Sequence, residues 1–562
     1  MIRLGGGHNP MERISTSVTL IVLAAGHQPT PFGGANPTDD SGFLNVGTKL
    51  AIERIHSFFA NKPQLTTLLA VGNANRSIYQ LIPYKNVRVI GIGKTRNVSD
   101  TLLAALDHVT TEWCLINPIT AVPTSHLSTE GAVYFGQDLI PKENWSALTV
   151  PSQNQPSFHP KAEASSNGLI SHPFTGRIYA QTEQVRAILR ELGEEQKNDL
   201  IYVGAKLIEK QLASIRYEKW IDAGHQATYA ESKLHSISSR FFNSLSYNPE
   251  TNTIRKVSSE ATKLRLEAQL INEAPARIRR FFPAIVSSSS QGEQWEVEME
   301  YVGYPSLAEV FLYSKVGPNT WKRIIDSLGQ AYDAFYGGTV VLKERASWLY
   351  SEKTLARQKT LEGILGEHPN HSLKAVYEQP YSVNGLAMPS LRETFGLMLD
   401  VCHELERSCE LHVGHGDMCF NNILVDPLFG TLKLIDPKAA VHPTTGQCGL
   451  MQGLYDLAKL NHSFIGLYDS VVNGLYGLSL TDQTTVNTVV YAPSDFSVVS
   501  RMFQDRLLLE RTDELACTQA TANLFLSMLP LHREDEARMV TLAIVGSMLL
   551  IHGTIKPLLM AP

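Results

Sequence analysis

The sequence predicts an α/β layered N-terminal unit followed by an α+β unit with a small β-rich lobe and a large helical lobe. Three observations carry this division. Across the first ~225 residues, short β-rich runs alternate with helical patterns, the signature of a layered sheet. Near Leu234 the pattern changes to two β-prone runs around the turn Asn248-Pro249-Glu250-Thr251-Asn252, followed by a helix and a strand. Beyond residue 315 the pattern is mostly helical. The chain has 562 residues, enough for several domains at roughly 100–200 residues each. The expected boundaries are 1–230, 231–315 and 316–562.

In the first unit the strand candidates are Val18–Leu23, Leu65–Val71, Val87–Ile92, Trp113–Ile116, Ala132–Phe135 and Arg177–Ala180. Helices are expected at Thr48–Phe59 and Asp100–His108, and a surface loop from Pro151 to Asn167, rich in Pro, Ser, Gln and Asn. In the second unit, Arg240–Tyr247 and Thr253–Ser258 read as a hairpin, Ser259–Asn272 as a helix and Trp295–Tyr301 as a strand. Pro389–Leu411 reads as a helix, because Leu391, Phe395, Met398, Cys402 and Leu405 recur at helical spacing behind Pro389.

Composition excludes several classes of function. Forty-nine Lys and Arg against 55 Asp and Glu give a net charge of −6, without the basic excess that nucleic acids and anionic membranes reward. Six cysteines are scattered without a CxxC pair, so neither a zinc site nor a disulfide framework is expected, and a reducing cytoplasm is the expected compartment. The apolar stretch Met539–Ile551 would rise about 20 Å as a helix, short of the ~30 Å hydrocarbon core, so membrane insertion is not expected. No signal peptide is expected at the N-terminus. Oligomeric state is not legible.

The chemistry concentrates in HGDMCFNNILVDPLFGTLKLIDP, residues 415–437. Asn422–Val425 and Leu432–Ile435 are apolar runs on either side of the turn Asp426–Gly430, so they form a hairpin. Its open end brings Asn422 beside Asp436, with Asp417 on the loop just before. Two carboxylates and an amide oxygen in one mouth are the hard ligands that hold Mg²⁺ on nucleotide phosphates, and a free carboxylate can take a hydroxyl proton.

This segment resembles the catalytic loop and metal motif of the aminoglycoside phosphotransferase and choline kinase group, a branch of the protein-kinase-like fold. The resemblance implies that Asp417 is the catalytic base in a loop spanning 415–422, that Asn422 and Asp436 are Mg²⁺ ligands, and that ATP is the phosphoryl donor. It places His415 as a loop-fixing residue. Lys256 in NTIRKVSSE resembles the lysine that steadies the phosphates, with Arg255 as its rival if the register slips, and Glu267 in KLRLEAQL resembles its helix partner. In WEVEMEYVGYPSL, Glu300 and Val302 stand where backbone groups grip adenine. A Gly-rich phosphate loop is missing between Gly224 and Gly292; Ser236–Ser239 is the candidate substitute. GLYDLAKLNHSFIGLYD resembles the family's DLA segment, with Asp456, Lys459 and His462 as candidate acceptor contacts. The Arg277, Arg279, Arg280 cluster reads as a solvated helix end.

SVTLIVLAAG, residues 17–26, is a strand entering a small-residue turn, a shape that lets backbone approach a phosphate. With FLNVGTKLAIERI and WIDAGHQATY it resembles sugar-phosphate nucleotidyltransferases over roughly residues 17–230. The resemblance places Ala24, Ala25 and Gly26 at the nucleotide and Asp222 at a metal, with a nucleotide or sugar phosphate as possible ligand. The chain departs from that pattern where it matters. No Arg or Lys stands between His27 and Thr48, and CLINPIT at 114–120 lacks the family's first metal carboxylate. A triphosphate's charge is then left without its cations.

The sequence therefore predicts an ATP- and Mg²⁺-dependent kinase for a hydroxyl of a small sugar, polyol or amino alcohol, in precursor synthesis for a surface polysaccharide, with a degenerate N-terminal domain. A bifunctional kinase–nucleotidyltransferase and a catalytically silent nucleotide-binding scaffold are its rivals.

Overall fold

A computed structural model describes residues 17–24, 45–46, 49–50, 55, 65–72, 87–93, 95–123, 130–137, 140–141, 146–149, 156–160, 170–222, 243–248, 250–313, 316–368, 371–426, 428–442, 444–493 and 495–559. The chain forms two compact units, Met1–Ser236 and Ile237–Pro562.

In the first unit, the strand Val18–Ala24 is buried along its whole length, which is why it reads as a continuous apolar run without alternation. It runs parallel to Leu65–Gly72 on one side and to Trp113–Pro118 on the other, and Val87–Ile92 extends the sheet beyond Leu65–Gly72. Ile170–Gln181 pairs antiparallel with Trp113–Pro118, and Ala132–Gly136 links it to Ser214–Glu218. Taken in chain order, the first parallel strand is flanked by the second and the fourth. Strand order reverses there, so the carboxyl ends of Val18–Ala24 and Trp113–Pro118 form a switch point, where open α/β sheets open a crevice. The helices Val98–Leu106, Thr182–Glu191 and Ile201–Glu209 bury Leu102, Leu106, Val185, Ile188, Val203 and Leu207 in one core with the sheet. Arg177 and Glu218, 1% and 3% exposed, form an ion pair inside this unit, with the guanidinium 4.3 Å from the Tyr134 ring centre.

In the second unit an antiparallel sheet runs in the order Asn243–Asn248, Thr253–Ser258, Gln294–Glu300, Ile285–Gln291. The helix Ala261–Glu273 covers it through Leu264 and Ala268, packed on Val297. The helices of the larger lobe include Pro318–Tyr336, Ser351–Glu367, Leu391–Leu405, Gly453–Phe464, Glu514–Met528 and Glu536–His552. The last of these is a core helix capped by Asp535 and ended by Gly553 at φ +66°. No described helix is long and apolar enough to cross a membrane.

Three expectations need correction. Lys49–Leu50, expected in the helix Thr48–Phe59, is a short strand paired with Asn45–Val46; of the remainder only Ile55 is described, and it is helical. Ser157–His159 is a strand on Ala147–Thr149, not loop, with Phe158 packed against the core. The helix from Ser390, closed by a capping box with Glu393, stops at Leu405; Cys409–Val413 is a strand between Leu342–Glu344 and Leu450–Gln452. Cys409, Leu411 and Val413 alternate with Glu410 and His412, and that period of two overrode the helical count.

Candidate active site

The hairpin of the motif forms in the expected register, Ile423 opposite Leu434 and Val425 opposite Leu432. At its turn, Asp426 accepts from the Leu428 amide at 2.8 Å, and Gly430 takes φ +72° with no room for a Cβ against Arg323. At its open end the Ile435 amide donates to the Asn422 carbonyl at 2.9 Å, which sets Asn422 across from Asp436. Asn422 Nδ2 donates to the Asp417 carbonyl at 3.0 Å, tying the loop to the hairpin and leaving the amide oxygen as the ligand atom. His415, fully buried, accepts from the Asp417 amide on Nδ1 at 3.2 Å and stands 3.1 Å from the Ile435 carbonyl through Nε2. Burial lowers it below the usual imidazole range, so it is a neutral brace.

Lys256 Nζ lies 2.9 and 3.0 Å from the two Glu267 oxygens and 2.8 Å from Asp436 Oδ1. Arg255 points to the other face of the strand, onto Glu296, as the strand's period of two requires. Burial is the largest influence on all three members of the triad. It pushes Glu267 up to about 7, only partly offset by Lys256. Asp436 falls, because Lys256 outweighs its burial, and Lys256 rises, because the two carboxylates outweigh its own. Asp436 has φ +54°, a left-handed turn that Asp tolerates and β-branched residues do not, and its side chain is 56% exposed.

Asp417 Oδ1 lies 3.0 Å from Lys459 Nζ, and the carboxylate remains 37% exposed. Burial would raise its pKa, but the Lys459 ammonium prevails and holds it at about 2. Lys459 in turn rises well above the usual lysine range, its burial outweighed by Asp417.

The helix Gly453–Phe464 separates the three residues expected at the acceptor. Each residue turns about 100°, so a position six residues on lies a third of a turn away from the first. Asp456 is not an acceptor contact: it is fully buried, and its Oδ2 takes the Gly416 amide at 2.9 Å and the Tyr336 hydroxyl, while Oδ1 receives the Met418 amide at 3.4 Å. It holds the 415–422 loop from beneath. His462 is not one either: it stacks on Tyr468 at 4.2 Å in the core, and burial pushes it down to about 3. Lys459 alone of the three reaches the site.

The Glu300 amide donates to the Ala284 carbonyl at 2.8 Å, which removes it as a donor to a purine; Val302 lies half-buried just beyond the strand end. Arg277 docks on the Ala334 carbonyl at 3.0 Å and is structural. Ser236–Ser239 lies outside the described residues.

Three residues at the site escaped the sequence reading: Tyr455, Lys353 and Lys438. Lys353 Nζ donates to the Tyr455 hydroxyl at 2.9 Å, and Lys438 Nζ lies 5.4 Å from the centre of the same ring. Lys438, two residues after Asp436, was within reach of inspection; its amide donates to the His415 carbonyl at 2.7 Å. From there the chain passes an exposed turn at 444–446 and returns where Gly449 accepts from the Gly414 amide at 2.9 Å.

Asn422 and Asp436 fit Mg²⁺ as a hard pair with one formal charge. Among the described residues no cluster of three or more His, Cys, Asp or Glu forms a cage, as suits an ion that completes its shell with phosphates and water. In the N-terminal unit, Ala24 ends its strand at the switch point, and Asp222 pairs with Ala121 just beyond Trp113–Pro118. Where a metal carboxylate is expected, the fully buried Asn117 turns its amide nitrogen to the Pro118 and Ala121 carbonyls at 2.7 and 2.8 Å. Ala25 and Gly26 lie outside the described residues.

No family model matches the chain, and no curated protein matches it. Solved structures match its N-terminal part. A putative glucose-1-phosphate thymidylyltransferase from Bacillus anthracis matches with a TM-score of 0.33 and 12% identity, over 40% of this chain and 97% of its own. A UDP-glucose pyrophosphorylase complexed with UDP-glucose gives 0.32 and 13%, over 40% and 100%. An inositol-1-phosphate CTP transferase from T. maritima gives 0.31 and 14%, over 40% and 96%.

Proposed function

We propose that residues 237–562 form an ATP- and Mg²⁺-dependent phosphotransferase acting on a hydroxyl of a small polar metabolite. One observation carries the reading. Lys256, paired with Glu267, reaches Asp436 at the mouth of the same hairpin that presents Asn422 and the loop carboxylate Asp417. Phosphoryl transfer needs these parts: a cation for the phosphates, hard oxygens for the metal, and a carboxylate for the nucleophile.

Mg²⁺, held by Asn422 and Asp436, would offset charge on the transferring phosphoryl group. Asp417, kept ionised by Lys459, accepts a hydrogen bond from the acceptor hydroxyl and aims its oxygen at the γ-phosphorus. The new P–O bond forms as the bond to the bridging oxygen of ADP breaks, and the hydroxyl proton passes to Asp417 and then to water. So acidic a carboxylate is a weak base. It serves mainly by orientation, since a loose transition state delays proton loss.

A bifunctional enzyme is the second reading, favoured by the switch point in the N-terminal unit with Ala24 and Asp222 at its rim. Against it stands Asn117 in place of a carboxylate. The test is ADP formation with a panel of sugars, polyols and amino alcohols, comparing wild type with Asp417→Ala. No turnover with any acceptor, together with no Mg·ATP binding, would end the kinase reading. Pyrophosphate release from CTP or UTP with a sugar phosphate would establish the second one.

A further inference from the structure

Beside Asp417, positive charge is in excess. Three ammonium groups, on Lys353, Lys438 and Lys459, gather around Tyr455, and each comes from a different part of the lobe. Lys353 sits in the first turn of Ser351–Glu367, Lys438 in the segment after Asp436, and Lys459 one turn beyond Tyr455 on the same helix. Asp417 neutralises one of them. Among the described residues, no carboxylate lies within ion-pair distance of Lys353 or Lys438.

Holding cations together without counter-charges opposes folding, and burial already depresses Lys353. Tyr455, 3% exposed, senses the resulting field: burial would raise its hydroxyl, yet the lysines bring it down to about 7. His462, the remaining titratable group on this face of the helix, is neutral. Asp456 lies beneath the loop with its oxygens taken by the Gly416 amide, the Met418 amide and the Tyr336 hydroxyl.

We propose that this cluster is the acceptor subsite, and that it selects hydroxyl substrates carrying an anionic group, a carboxylate or a phosphate monoester, read by Lys353 and Lys438 while Asp417 receives the hydroxyl. The inference rests on the phosphotransferase reading and narrows it. An amino alcohol would bring a fourth cation against three, whereas an anion supplies the missing counter-charge and displaces no existing ion pair.

The test compares matched acceptors: sorbitol, gluconate, a sugar phosphate and ethanolamine, each by ADP formation and by calorimetric binding to the protein with Mg·ADP. An anionic acceptor is expected to exceed its neutral counterpart in kcat/KM at least tenfold, since one charge-assisted contact is worth about that factor. The gluconate and sugar-phosphate arms separate the two anions. Lys353→Met and Lys438→Gln are each expected to raise KM for the anionic acceptor about tenfold and to erase its preference, with a smaller change in kcat. Lys438 is exposed, so its variant reads out even if Lys353→Met folds poorly. Equal or better use of sorbitol or ethanolamine, or preference unchanged in Lys438→Gln, overturns the inference and leaves the kinase reading intact. Loss of Mg·ATP binding in wild type overturns both.

Discussion

Asp456→Ala isolates the fastening of the 415–422 loop from the chemistry proposed for it. The carboxylate it removes is fully buried, yet it accepts from the Gly416 amide, the Met418 amide and the hydroxyl of half-buried Tyr336. Truncation strands three donors. If water rescues one, the two left unpaired cost about 2–6 kcal/mol at about 1–3 kcal/mol each. For a unit of this size that is a fall in Tm of roughly 3–9 °C. The loop also loses its floor, and an ångström of drift at Asp417 lowers kcat about a hundredfold. Lys256 and Glu267 do not touch Asp456, so KM for ATP is expected to hold within a factor of about three. Asp456→Asn preserves size and one acceptor oxygen and should fall between wild type and alanine. Differential scanning calorimetry and steady-state ADP formation read both effects. An alanine variant with Tm within 1 °C and kcat within threefold of wild type refutes the reasoning, because two stranded buried donors cannot be that cheap.

Three further outcomes are expected. Asp469 is fully buried, and burial pushes its pKa up to about 6, so above that pH its charge opposes folding; Asp469→Asn should stabilise by roughly 2–3 kcal/mol at pH 7.5 and by nothing measurable at pH 4, as urea melts at the two pH values would show. Tyr455, brought down to about 7 by Lys353, Lys438 and Lys459 against its burial, should add an absorbance transition at 295 nm near neutral pH. Its depressed pKa contributes stability above the unfolded value near 10 that is lost as pH falls through 7, and Tyr455→Phe should abolish the transition. Arg177→Met removes the cation beside the buried Glu218 carboxylate and should destabilise the N-terminal unit by about 3–5 kcal/mol; Arg177→Met with Glu218→Gln should recover most of that, and a double cycle that shows no coupling would contradict the pairing.

The parts of the site legible in the sequence are those fixed by local geometry. A hairpin's register follows from its turn, so the meeting of Asn422 and Asp436 could be read from Asp426–Gly430 and the two apolar runs. Lys256 could be separated from Arg255 only by sheet facing, which depends on what the helix Ala261–Glu273 covers. The helix Gly453–Phe464 was beyond reach for a related reason. Spacing told that Asp456, Lys459 and His462 spread around a cylinder, but not which side faced the loop, the mouth or the core. Packing on Glu514–Met528 settles that, and it lies more than fifty residues downstream. Lys353 stands on a helix more than sixty residues before Asp417 with no motif around it, so only tertiary structure brings it there. In the N-terminal unit the strands were plain as apolar runs, while the switch point is a property of strand order, and strand order is not written locally.

The stretch that leaves the hairpin at Lys438 and rejoins the lobe at Gly449 is clamped at both ends, by the His415 carbonyl and by the Gly414 amide. Between those clamps the chain bears no group of the mouth, and its tip at 444–446 is exposed. Loop-closure entropy grows only slowly with length, so added residues there strain neither clamp. That tip is consequently a place to graft an epitope or a fluorophore: a reporter would follow Asp436 by about eight residues while leaving the geometry of the hairpin mouth to the clamps.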